Sequence, residues 1–347
     1  MQNSRISNGV NKKIVRWVSW VLILVVILLG VSIFSLGVGS AGIPFKKLLS
    51  LILKGKGTTE YSILFDIRLP RIILGLAVGG ALSLAGAILQ GMFRNPLVEP
   101  YTLGISGGAA LGVCLNLVLR LPRLFGILSM PLSGFLGAVL VILLVYSLSL
   151  RRGILKIQGL LLTGVMISFI SSSLIMLIMA VSRVEDLHGI MFWIMGSLEE
   201  PNGVLIKIML FLSIAGLFSS YLFWRDLNAL SLGEEEALHL GLDIERTKRF
   251  LFLLSSLLTG AAVSVCGIIG FVGLVVPHLV RLLVGGDHRI LFISSFLVGG
   301  IFLIFCDTLA RTIMSPMELP VGVITGIIGG SLFVYFLNRR PSLSGRK

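Results

Sequence analysis

Charge is scarce in this chain. Only 13% of its 347 residues are Asp, Glu, Lys or Arg, against roughly 25% in a soluble globular protein. Most of its surface must therefore face a solvent other than water. No mixed polar stretch of on the order of 100 residues interrupts the apolar runs, which leaves no room for a separate soluble domain. Cysteine is equally sparse: Cys114, Cys266 and Cys306 each lie inside an apolar run and form no CxxC pair. That excludes thiolate metal sites and reads as three small buried hydrophobes. The four histidines, at 188, 239, 278 and 288, make no metal-ligating arrangement with Cys, Asp or Glu. The phosphate-cradling pattern GxxxxGK[ST] is also missing; Gly55-Lys56-Gly57 has no glycine five residues earlier.

Apolar residues are abundant, at 56% of the chain. A membrane helix needs roughly 20 of them in succession, and the pattern predicts ten spans, near residues 17–38, 69–91, 102–119, 124–150, 158–181, 203–224, 250–269, 271–284, 290–313 and 320–338. The expected fold is thus an all-α polytopic membrane helix bundle, one domain over 1–347. The join between the seventh and eighth spans (Gly267-Ile268-Ile269-Gly270) is almost without polar residues, so nine spans fit the pattern too. Lys12, Lys13 and Arg16 ahead of the run Trp17 to Leu36 resemble a signal peptide, with small residues at Gly39-Ser40-Ala41. The run is longer than the roughly 7–15 residues of a signal core, so it reads as an uncleaved first span.

The net charge of +13 comes from short Lys/Arg clusters between apolar runs, which are topology signals rather than a nucleic-acid patch. Placing both termini in the cytoplasm, within a cell inner membrane, puts the larger share of the 29 Lys and Arg inside, as the positive-inside rule requires. The exception is an outer cluster of Lys46, Lys47, Lys54, Lys56, Arg68 and Arg71. Glycine, 41 residues, concentrates in the spans at four-residue spacing (Gly75/Gly79, Gly104/Gly108, Gly322/Gly326/Gly330), which favours close helix approach in lipid. Two pieces outside the spans look structured: Pro44 to Leu53, a short helix on the outer surface, and Glu185 to Gly196, an amphipathic piece that reads either as an interfacial helix anchored by Trp193 or as part of a substrate entrance.

The longest polar loop runs from Arg225 to Arg249, a cytoplasmic segment of about 226–249. Ser231-x-x-Glu234 fits a capping box, Glu235 and Glu236 add negative charge to the first turn, and Gly241 fits a left-handed stop. These predict a helix near 232–240. Asp243 then caps a second helix leading into span seven. Pinned between two spans, the short helix could pass force from a partner to both; from the residues alone a solvated linker accounts for it equally well.

The segment Leu230-Ser-Leu-Gly-Glu-Glu-Glu-Ala-Leu-His-Leu-Gly-Leu242 resembles the coupling segment of FecCD-type ABC importer permeases, the family of vitamin B12 and ferric-siderophore permeases. Arg68-Leu-Pro-Arg71, Gly86-x3-Gln90, Asn95-Pro-Leu-Val-Glu-Pro100, Gly270 to Arg281, Gly286-Asp-His-Arg289 and Glu318 to Gly326 agree in order, so the resemblance covers nearly the whole chain. It implies a type II importer permease that pairs with a second permease subunit, a separate pair of ABC ATPase subunits inside, and an extracytoplasmic binding protein outside. ATP and Mg would sit on the ATPase; the chain itself would bind no cofactor and catalyse nothing.

By the same resemblance, Ser231, Gly233, Glu234, Glu235, Glu236, Leu240 and Gly241 would seat in the ATPase. Arg68, Arg71 and Arg311 would meet acidic residues of the binding protein, and Asn95 and Leu97 would belong to a cytoplasmic gate. Without the resemblance, Arg68 and Arg71 read as headgroup anchors, and Arg311 as the neutralising partner of Asp307 four residues earlier. The implied cargo is an iron–siderophore complex, with haem or a cobamide as the alternative. An ion-coupled secondary transporter would need paired intramembrane carboxylates or broken helices to couple ions, and Asp307, with Arg311 beside it as neutralising partner, is the one acid placed firmly inside a span. A membrane enzyme would need convergent nucleophile, base or metal residues, and none stands out. A bare scaffold would leave the capped helix and the outer arginines without a purpose.

Overall fold

The computed structural model describes residues 2–39, 42, 51, 56–121, 126, 128–200 and 202–338. The helix expected over Pro44 to Leu53 lies outside these, apart from Leu51. The architecture is a bundle of helices: α1 (Gln2–Gly37), α2 (Thr59–Met92), α3 (Ile105–Val118), α4 (Ser129–Ser149), α5 (Ile157–Val181), α6 (Val184–Met195), α7 (Gly203–Leu222), α8 (Trp224–Leu232), α9 (Glu234–His239), α10 (Ile244–Cys266), α11 (Val272–Val284), α12 (His288–Ala310) and α13 (Val321–Asn338). Seven of these are long and apolar enough to cross a membrane, and three shorter apolar helices, α3, α11 and the Val321–Phe336 stretch of α13, bring the total to ten. The ten expected spans each find a helix. The seventh and eighth separate because Gly267 and Phe271 take positive φ (69° and 68°) and break the chain between α10 and α11.

Helix α2 is the hub. Of its apolar window 89% is buried, against 11% for α1 and 17% for α5, which leaves those two at the periphery. Glycine sets the closest crossings. A Cβ on Gly79 would collide with the Gly299 carbonyl of α12, and one on Gly86 with the Gly273 carbonyl of α11. With little hydrophobic drive between helices in lipid, such backbone approach is what packing rests on. The four-residue spacing is not uniformly used, however: Gly322 meets Met195 and Ile268, whereas Gly326 has nothing within 4 Å.

One boundary differs from expectation, and one small element was not expected. Helix α2 starts ten residues ahead of the expected Leu69. Thr58 caps it by accepting from Tyr61 N–H at 3.2 Å, and a π-helical turn over Ile63–Arg68 carries it into the span. Glu60 and Asp66 interrupt the apolar run ahead of Leu69, so the run alone does not mark this start. The bundle also carries one two-stranded ribbon, β1 (Leu150–Arg151) antiparallel to β2 (Ile154–Leu155). Its turn residues Arg152 and Gly153 both have positive φ, 53° and 81°, as a tight two-residue hairpin requires.

Candidate functional site

The α8–α9 segment differs from its expected form. Ser231 does not cap a helix; its hydroxyl donates to the Asn228 carbonyl at 2.6 Å, inside α8. The chain breaks at Gly233 (φ 139°), and α9 starts at Glu234 with no side-chain cap. The helix predicted near 232–240 is α9, two residues shorter at its start, and it follows a separate helix, α8, across a glycine elbow. Both downstream signals hold. Gly241 (φ +80°) ends α9, with Gly241 N–H donating to Leu238 O at 2.9 Å and Leu242 N–H to Ala237 O at 3.1 Å, the doubly bonded left-handed stop. Asp243 then caps α10 by accepting from Arg246 N–H at 3.1 Å.

Glu234 faces Lys248 instead of its own helix end. Lys248 Nζ lies 2.8 Å from Glu234 Oε2 and 3.7 Å from Glu245 Oε1, with its side chain 5% exposed. Glu245 also accepts from Leu155 N–H at 2.7 Å, and Arg249 donates to the Gly153 carbonyl. Thr247 donates to Asp226 at 3.3 Å, and burial raises the Asp226 carboxyl above its ordinary value. Helix α9, the start of α10 and the β1–β2 ribbon thus form one polar assembly. Leu232, Leu238 and Leu240 stand out from it, 60–67% exposed. Local pattern could not have shown this, since Lys248 read simply as a basic residue ahead of a span.

At the same end, Asn95 forms a tight turn, its Oδ1 accepting from Leu97 N–H at 3.0 Å, while Leu97 itself is exposed. The chain then turns back into the bundle. Glu99 Oε1 accepts from Phe271 N–H at 2.9 Å, and the Tyr101 hydroxyl both donates to Ile269 O (3.0 Å) and accepts from Ile269 N–H (3.1 Å). Two side chains from this loop therefore satisfy the backbone freed at the α10–α11 break, as irregular backbone at membrane depth requires. The roles of Glu99 and Tyr101 were not legible from spacing; an Asn-Pro break followed by a polar residue before Pro100 was the available signal.

The opposite end gathers the three arginines. Arg68 Nη1 donates to the Leu36 carbonyl at 2.5 Å, placing a cation on the C-terminal end of α1. Arg71 pairs with Glu318 (2.7 Å) and Glu199 (3.3 Å), and Arg311 pairs with Asp307 (2.9 Å) and donates to Ser35 Oγ (2.9 Å). The three guanidinium side chains are buried, whereas Glu199 is 73% and Glu318 41% exposed. A cavity of about 250 Å³ opens among Gly39, Ile67, Arg68, Arg71, Arg311 and Glu318. Sequence reasoning brought Arg68 and Arg71 together and paired Arg311 with Asp307. The meeting of all three arginines, and their two exposed carboxylates, depends on contacts across more than a hundred residues.

Cys114, Cys266 and Cys306 are free and buried. Among the described residues no cluster of His, Cys, Asp and Glu could hold a metal ion. His278, next to Pro277 in α11, is buried and stands edge-on to Phe333, 5.9 Å between ring centres.

Residues 22–339 match the FecCD transport family. The chain is 39% identical over 329 residues to the hemin transport permease HmuU of Yersinia pestis, covering 94% of this chain and 96% of the relative. It is 40% identical to the cobalamin import permease BtuC of Halobacterium salinarum (82% and 76% covered) and 38% identical to the Fe(3+) dicitrate permease FecD of Escherichia coli (93% and 99%). Among solved structures, a metal-chelate type ABC transporter in an inward-facing conformation superposes with a TM-score of 0.81 at 30% identity, covering 93% of this chain and all of that one.

Proposed function

Because the chain belongs to the FecCD transport family and is an ABC importer permease, we propose that its cargo is an iron–siderophore complex. Permeases of this family work with ATPase and binding-protein partners. The observation that carries the substrate reading is the pair of relatives named for iron chelates, hemin and Fe(3+) dicitrate. Haem is the second reading, on the strength of the hemin permease relative; a cobamide is the third.

In this reading both termini and the α8–α9 segment lie in the cytoplasm. Ser231, Gly233, Glu234, Glu235, Glu236, Leu240 and Gly241 seat α9 in the ATPase, with the exposed leucines supplying apolar contact. Asn95 and Leu97 sit at the cytoplasmic gate. Arg68, Arg71 and Arg311 form the outer docking site, where a carboxylate of the binding protein exchanges with the exposed Glu199 on Arg71. The chain binds no cofactor, and its functional unit contains a second permease subunit, the same or a different chain.

Proteoliposomes holding the permease, its ATPase and its binding protein test this with three radiolabelled cargoes: a ferric hydroxamate siderophore, haem and cobalamin. ATP-dependent accumulation of the siderophore alone is the expected result. Accumulation of haem or cobalamin instead reassigns the cargo, and accumulation that follows an ion gradient without ATP removes the importer reading.

A further inference from the structure

The α8 arm has a second attachment that the coupling assembly around Lys248 does not use. Asn228, in the middle of α8, reaches the loop between α11 and α12. Its side-chain amide donates to Asp287 Oδ1 at 3.2 Å, and its Oδ1 accepts from the His288 backbone N–H at 2.9 Å and meets His288 Nδ1 at 2.7 Å. The backbone N–H can only donate, so the amide orientation is fixed and Nδ1 carries the proton. Asp287 is also the N-cap of α12, and it pairs with Arg289 (2.8 Å) and Lys13 of α1 (3.2 Å). The Arg289 guanidinium lies between two indoles, 4.9 Å from Trp17 of α1 and 4.6 Å from Trp224 of α8. Beneath this knot, Leu227 and His288 close on Gly91 of α2, where a Cβ would meet both side chains.

We infer that Asn228 is a positioning residue of the transport cycle, fastening the α8 arm to the start of α12 so that the two move as one body. The physical reason is the number of bonds to one small side chain. Three polar contacts and the flanking cation–π pair join α8 to α12 at a half-buried site closed beneath by the buried His288, where exchange for water is less favourable than at the open surface. Downstream, α12 meets α2 backbone to backbone at Gly79 and Gly299, and closely packed glycine crossings shift as units rather than bend. Displacement of α9 by a partner would then divide between α10, through Lys248, and α12 with α2, through Asn228. The second route ends at the Asn95–Leu97 turn that follows α2.

This inference rests on the ATPase partnership proposed above, and the test separates the two. Spin labels are placed at Arg225→Cys, at the start of α8 and away from the residues assigned to the ATPase, and at Phe305→Cys on α12, both exposed, in a chain whose native cysteines are buried. Distances are read in the assembled complex, nucleotide-free and trapped with ATP and vanadate. The expected result is an α8–α12 distance that trapping does not change in the parent chain, and that trapping shifts or broadens in Asn228→Ala. Asn228→Asp places two carboxylates together and should behave like Asn228→Ala. The exchange Asn228→Asp with Asp287→Asn returns the amide–carboxylate bond between α8 and α12 while giving up the Asp287 pairs with Arg289 and Lys13; it should move the distance back towards the fixed value, which also covers the case in which Asn228→Ala fails to fold. A trapping-dependent shift in the parent chain, or a fixed distance in Asn228→Ala, overturns the linkage. Failure of any ATPase to bind the parent chain counts against the proposed function instead.

Discussion

Lys248 Nζ stands 2.8 Å from Glu234 Oε2, joining the first residue of α9 to a buried position one turn inside α10. The pair makes the short helix and the span a single lever. Without it, a six-residue helix behind a glycine elbow would be held by the buried Ala237 and the Gly241 stop alone, since isolated helices of that length have no stability of their own.

Glu234→Gln should therefore loosen coupling more than it loosens the fold. Glu234 is 42% exposed and Glu245 still faces Lys248 at 3.7 Å, so the stability loss should be small, on the order of 1 kcal/mol. ATP hydrolysed per cargo molecule transported should rise several-fold in proteoliposomes. An unchanged ratio would show that Lys248 serves packing alone.

Gly241 offers a graded test of the same lever. Its φ of +80° costs an L-residue about 1–2 kcal/mol, so Gly241→Ala should lower thermal stability modestly and reduce uptake in part. Gly241→Pro also removes the N–H that donates to Leu238 and cannot adopt that φ; it should abolish coupled uptake while the protein still reaches the membrane. Uptake by both variants equal to that of the parent chain would show that the α9 stop is dispensable.

How much of this site could be read from residues alone depended on how local each signal was. Gly241 and Asp243 act within five residues of themselves, and both were legible. Arg311 and Asp307 share a helix face and were legible as a pair. Ser231 was misread because two tertiary features overruled its local pattern: Gly233 breaks the helix, and Glu234 is drawn away to Lys248. Arg68 looked like an outward-facing cation, yet it closes the end of α1, a contact 32 residues away. Asn228 and Asp287 carry no pattern that announces their meeting across 59 residues. The ten apolar runs were plain because span length and hydropathy are properties of the sequence itself; the π-helical entry to α2 was not, because its polar residues masked a continuous helix.

Asp287 gives a pH dependence with a definite sign. Burial alone would raise its carboxyl, but hydrogen bonds from Arg289, Asn228 and Lys13 outweigh that and hold it below the usual carboxylate range. A carboxylate depressed on folding contributes stability above its unfolded value near about 4, lost as pH falls towards the folded value. The melting temperature of the parent chain should therefore exceed that of Asp287→Asn by a constant margin at neutral pH. The margin should narrow only in the acid range below about 4. A margin that already closes near neutrality would show that Asp287 is not held in its charged form.

The docking role proposed for Arg68, Arg71 and Arg311 predicts a charge-dependent association constant. Arg71→Glu reverses the charge facing Glu199 and Glu318 and should weaken binding-protein association at low salt by at least tenfold, given couplings of roughly 1.5–7 kcal/mol for close interfacial pairs. Glu199→Gln, which frees Arg71 from one partner, should strengthen it. Equal affinities in surface-immobilised binding at low ionic strength would assign the cluster to holding the fold alone.

The α9 helix is where this account has energy enter the permease, and Leu240 is its exposed tip, 67% accessible. A Leu240→Cys chain in inside-out vesicles, treated with a membrane-impermeant maleimide, tests that placement directly. The account predicts fast labelling that is suppressed when the ATPase subunit is added. Labelling reachable only from the outer side of the membrane, or labelling unaffected by the ATPase, would contradict it.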